Sequence, residues 1–110
     1  MTKISSSDLK LLKEVSTPVH YLKTWPEHYD AVASRLKKAE LRKDDRQFKV
    51  ADYLVLQRWD PNSGQYTGEN ELLAVTHVLN GGAFGLESGH VMLSFYHPNL
   101  WFLYYKHLKM

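Results

Sequence analysis

Six basic residues crowd one short stretch of the chain: Lys37, Lys38, Arg42, Lys43, Arg46 and Lys49. Only Glu40, Asp44 and Asp45 oppose them, so residues 37–49 carry +3 while the other 97 residues sum to −1. Cations concentrated in this way are the usual means of meeting phosphate. Glu40 and Arg42 are two apart, so on a strand they project from one face. A carboxylate so placed orients the guanidinium, or accepts protons from an amino group on a base. Lys37 beside Glu40 is a pair that acid–base chemistry could draw on. The plain alternative is a solvated face whose ion pairs exchange freely.

Trp25, Tyr29, Tyr53, Trp59 and Tyr66 interleave with this stretch. Aromatics beside lysine and arginine are what stacking onto unpaired bases requires. Most aromatics of a small domain belong to its core. Trp25, at a strand-to-helix corner, is the one expected outside. The histidines (His20, His28, His77, His90, His97 and His107) show no spacing such as His-x-x-x-His with a nearby carboxylate, so no metal set is expected. His20 reads as structural, or else as a general base lining the site. Gly81-Gly82 with Gly85 and Gly89 is not followed by lysine-serine or lysine-threonine and leads into a strand, which speaks against a P-loop. Those glycines read instead as turns with positive backbone angles that border the site.

The elements that must position these groups follow from pattern. Residues 5–15 read as a helix, with serines 5–7 offering caps and Leu11, Leu12 and Val15 forming one stripe. Val19–Thr24 alternates as a strand. Pro26 opens a second helix to about Leu36, with Thr24 as candidate cap. Lys38–Arg42 is a short strand, and residues 43–46 form a charged turn. Tyr53–Trp59 and Glu71–Leu79 are joined through the turn Asp60-Pro61-Asn62-Ser63-Gly64. Val91–Phe95 is the last strand. One crossover helix among five strands excludes a doubly wound parallel sheet. The expected architecture is α+β, mostly β: a small mixed barrel with a helix between its first two strands and another in front.

Length and composition agree. A chain of 110 residues holds one domain, 1–110, with its core at about 18–96 and an aromatic tail at 97–110. Apolar residues at 44% can build a core, and 24% charged residues with a net +2 exclude a disordered polyacid. The absence of cysteine excludes disulfides, thiolate metal sites and a cysteine nucleophile. The apolar run Leu100–Tyr105 is far short of the ~20 residues of a membrane span. The polar N-terminus has no signal-peptide character, so a cytoplasmic protein without membrane contact is expected. The same run, as a strand, would bury alternate residues and leave Trp101, Leu103 and Tyr105, or the other three, outside. That predicts a homodimer sealed by the tail, unless the tail folds back over the barrel.

Arg35-Leu36-Lys37-Lys38-Ala39-Glu40-Leu41-Arg42 resembles the signature glycine-x-lysine-x-x-glutamate-x-arginine of ASCH domains in the PUA-like superfamily. Three blocks in order, residues 20–32, 40–52 and 81–91, also resemble a small, uncharacterised, mostly bacterial and phage branch allied to ASCH. The resemblance covers about residues 19–95. It implies a PUA-like barrel with a cleft between barrel and helix, and RNA or modified-nucleoside recognition. Two glycines of the pattern are Arg35 and Ala51 here. Arg35 is compatible with the helix end if it avoids a left-handed conformation, and Ala51 reads as a small change. Members resembling nucleoside amidohydrolases carry a threonine nucleophile where Glu40 stands, while their lysine aligns with Lys37. The expectation is therefore a binder of RNA or a nucleotide-like ligand, without cofactor or metal. Its cleft would be formed by Lys23, Trp25, Lys37, Glu40, Arg42 and Arg46. The alternatives are a hydrolase acting on RNA or a modified nucleoside through Lys37 and Glu40, and a protein-interaction module built on the tail.

Overall fold

A computed structural model describes residues 3–108, with side chains described through Tyr104. Within these, helix α1 (Ser6–Leu12) precedes strand β1 (Val19–Thr24), helix α2 (Pro26–Ala33) and strand β2 (Ala39–Lys43). Strands β3 (Tyr53–Asp60), β4 (Gln65–Asn80) and β5 (His90–Tyr96) follow, and helix α3 (Trp101–Leu108) comes last. The five strands form one curled half-barrel in the order β1-β3-β4-β5-β2. β1 pairs β3 in parallel and all other pairs are antiparallel. The expected mixed, barrel-like fold with one helix between the first two strands and one in front is therefore present. The two edge strands, β1 and β2, leave a seam that backbone hydrogen bonds do not close.

Strand alternation gives the sheet two covered faces. On one, Leu22, Leu54, Leu56, Leu73, Val91, Leu93 and Phe95 pack against Tyr29 and Val32 of α2. Arg58 on β3 pins that helix, donating to both carboxylate oxygens of Asp30 at 3.0 and 3.1 Å. Its guanidinium holds the Asp30 carboxyl below the usual range. On the other face, Val55 and Leu72 are covered by Ile4, Leu12 and Leu103.

Several boundaries differ from those read in the sequence. α1 stops at Leu12 rather than Val15; its start is a capping box in which the Asp8 amide donates to Ser5 Oγ and the Ser5 amide to Asp8 Oδ2. Trp25, not Thr24, occupies the N-cap of α2, without a side-chain cap bond. Thr24 Oγ1 donates instead to the Leu22 carbonyl at 3.0 Å. α2 ends at Ala33, because Arg35 is left-handed, with φ 68°. That is the usual end of a helix, and glycine is its usual occupant. Ala51 has φ 80°, so this replacement of a glycine is also sterically significant. β4 starts six residues earlier than Glu71, because Tyr66 packs edge-on to Trp59 across the hairpin at 4.9 Å.

The tail is a helix that folds back on the sheet, not a strand. Asn99 Oδ1 accepts from the Trp101 amide at 2.8 Å and caps it. Leu103 is buried, Phe102 stacks on Tyr53 at 5.2 Å, and Tyr104 donates to Asp8 in the capping box of α1. Trp101 and Tyr104 stay exposed. The expectations for Tyr105 and His107 fall on side chains outside the described ones, and Lys109 lies outside the described residues. No helix among the described residues is long and apolar enough to cross a membrane.

Candidate functional site

The seam between β1 and β2 opens into a cleft of about 630 Å³. Its walls come from the end of β1 and start of α2 (Thr24, Trp25, His28), from Lys37, and from β2 and β5 (Leu41, Met92). The sequence explains this placement. Pro26 at the first helical position turns the chain sharply after β1, which leaves Trp25 at the corner and 53% exposed. The left-handed Arg35 turns the chain again, so that Lys37 and β2 return along the mouth.

Glu40 lies at the centre of the charged groups. It is buried, and sits opposite Leu93 on the core-facing side of β2. Lys37 Nζ is 2.8 Å from its Oε1, and the Arg42 guanidinium meets its Oε2 at 3.1 Å through Nη2 and 3.2 Å through Nε. A buried carboxylate is tolerated when paired in this way, and removing either partner is costly. Lys37 also donates to His28 Nδ1 at 3.2 Å. While the ammonium is charged it has no acceptor, so the His28 proton resides on Nε2.

Arg42 continues across the seam. It donates to the Lys23 carbonyl at 3.2 Å and to Thr24 Oγ1 at 3.1 Å. Arg46 does the same further along, donating to the Tyr21 carbonyl at 2.9 Å. The two arginines thus tie β2 and its turn to the open edge of β1. The structure brings Trp25, Lys37, Glu40 and Arg42 together, as expected. It does not bring in Arg46, which is absent from the cleft lining. Lys23 contributes its carbonyl there, while its ammonium sits 4.0 Å over the Trp59 ring. Alternation explains this: Leu22 and Thr24 point to the α2 side, and Lys23 points to the other.

His20 takes the structural role. Its Nε2 is 2.8 Å from Asp52 Oδ2, which also accepts from the Lys49 amide at 3.0 Å, and it is outside the cleft. The glycines of the loop after β4 are outside it too, although His90, where that loop ends, lines it. His28, Leu41 and Met92 were not singled out from sequence, and Lys43 was read only as part of the basic stretch. Lys43 follows the signature by one residue, and its odd position puts it on the same strand side as Leu41. His28 and Met92 carry no local signal. Among the described residues, no three metal-ligating side chains converge.

A stretch of 62 residues is 33% identical to an uncharacterized 12.9 kDa protein in the GpA 3′ region of Escherichia phage P2. It covers 56% of this chain and 55% of that phage protein, so the two are matched over about half their lengths. The family model described as "Domain of unknown function (DUF3850)" matches residues 19–95, from the first residue of β1 almost to the end of β5, and the chain belongs to that family.

Proposed function

We propose that this domain binds a nucleotide, free or within single-stranded RNA, in the cleft between β2 and the start of α2. The observation that carries the reading is the convergence of Trp25 at the start of α2, Lys37 before β2, and Glu40 and Arg42 on β2, on one cleft of about 630 Å³. Small-ligand sites run to roughly 300–1,000 Å³. Trp25 offers a stacking wall, and Lys37 and Lys43 supply positive charge for phosphate. Resemblance to ASCH domains points the same way. Glu40 acts by orienting Lys37 and Arg42, since both of its oxygens already face cations.

A hydrolytic reading of the cleft has less to draw on. Thr24 carries the nearest hydroxyl to Arg42, yet it is buried, donates to Leu22 and accepts from Arg42.

The test is titration of mononucleotides and short single-stranded RNA, read by tryptophan fluorescence. Affinity should fall with rising salt as phosphate contacts release counterions. Lys43→Ala should weaken binding, and Trp25→Ala should remove both the fluorescence change and much of the affinity; base–aromatic stacking is worth about 1–3 kcal/mol. Arg42→Ala is a poor probe, because it opens the seam and strips Glu40 of a partner. Salt-independent binding, or full affinity in both variants, refutes the assignment.

A further inference from the structure

Lys37, Glu40 and Arg42 are engaged with one another and Lys43 is left for phosphate, so the groups that read a base lie in the backbone. β2 is an edge strand. The Phe95 amide donates to the Lys38 carbonyl at 3.3 Å, and the Asp44 amide to Gly89 at 2.9 Å. With Glu40 opposite Leu93 and Arg42 opposite Val91, the even-numbered residues exchange hydrogen bonds with β5. Ala39, Leu41 and Lys43 therefore turn their amide and carbonyl groups away from β5, toward the seam. The Lys43 carbonyl is taken by the Asp45 amide at 2.9 Å. Ala39 and Leu41 each keep a donor and an acceptor facing the open edge, and both residues line the cleft. Leu41 is 63% exposed, so a ligand can reach it.

An extended residue presents its N–H and C=O side by side. The complement is a flat group with one acceptor beside one donor. The Watson–Crick edge of every unpaired base offers that pair, for instance O4 and N3–H of uracil. Resting on the nucleotide reading above, we infer that the open edge of β2, chiefly Leu41, pairs with the Watson–Crick edge of a base stacked on Trp25. The ligand is then an unpaired base with that edge unmodified; a duplex, whose edges are engaged, is excluded. Only two residues of β2 are fully open and Arg42 already crosses the seam. A single base therefore suits the site better than an added peptide strand.

The probes are uridine monophosphate and its N3-methyl derivative, titrated against the full chain and followed by amide nuclear magnetic resonance. Uridine monophosphate should shift the Leu41 and Ala39 amides, and N3-methylation should weaken binding about tenfold or more, the usual discrimination of a bidentate base contact. Leu41→Pro removes only an edge-facing N–H, a substitution that edge strands accept. It should weaken uridine monophosphate binding about tenfold by removing the donor to O4, while Leu41→Ala, which keeps both backbone groups, should retain the affinity and the preference for the unmethylated base. Equal affinity for the two nucleotides overturns this inference and leaves the nucleotide reading standing. No binding of either overturns both, and saturable binding of a polyglutamate peptide alone would replace them with strand addition.

Discussion

Two residues with positive φ mark where this chain departs from the pattern it resembles. Arg35 ends α2 at φ 68°, and Ala51 precedes β3 at φ 80°. For residues with a Cβ the left-handed region costs about 1–2 kcal/mol, which glycine escapes. At Ala51 the strain is held in place by hydrogen bonding. Its amide donates to the Val75 carbonyl at 2.8 Å, and the Val75 amide returns a bond to Asp52 at 2.9 Å. Ala51→Gly should therefore stabilise the fold by about 0.5–1 kcal/mol after the entropy of glycine in the unfolded chain is deducted. A higher midpoint in urea at unchanged slope is the expected result, and a lower one would show that the left-handed geometry carries no strain. At this scale the sequence disclosed Glu40 and Arg42 well, since their spacing alone puts them on one face. It did not disclose the acceptors of Arg42. Those are the Lys23 carbonyl and the Thr24 hydroxyl, brought near by the curl of the whole sheet.

At the scale of elements, strands with two-residue alternation were legible and the tail was not. Leu100 to Tyr105 is apolar throughout, so it fits both a strand and a helix. Asn99 settles the matter by capping, and the three-residue spacing of Leu100 and Leu103 then faces the sheet. Burial of Leu103 beside Leu12, Val55 and Leu72 makes the tail part of the core. Leu103→Ala should accordingly cost about 2–5 kcal/mol, as for other buried leucines. Tyr104→Phe should destabilise in the same direction by leaving Asp8 one donor short. Thermal unfolding of both variants checks this. An unchanged midpoint for Leu103→Ala would mean that α3 does not pack on the sheet.

For the whole molecule, the two faces of the sheet are joined by polar groups that set its response to acid. The side chain of His97, just after β5, is largely buried, with Nε2 3.6 Å from Glu71. Burial and the nearby Arg35 charge lower its pKa, more than Glu71 and a hydrogen bond to the Val32 carbonyl raise it. In the unfolded chain the same histidine titrates near pH ~6.5. The unfolded state thus binds more protons than the native state below that pH, so stability falls as the pH drops. Asp30 and Glu69 add a second, more acidic stage. Their carboxyls are held below the usual range, by hydrogen bonds from Arg58 and Lys3 respectively, and that stabilisation is lost as they protonate. The melting temperature should therefore decline between pH 7 and pH 5, before any carboxylate is involved, and drop again below about pH 4. His97→Asn should be less stable at pH 7 and should lose much of the first decline while keeping the second. A variant whose slope between pH 7 and pH 5 matches that of the natural chain would show that His97 does not govern this stage.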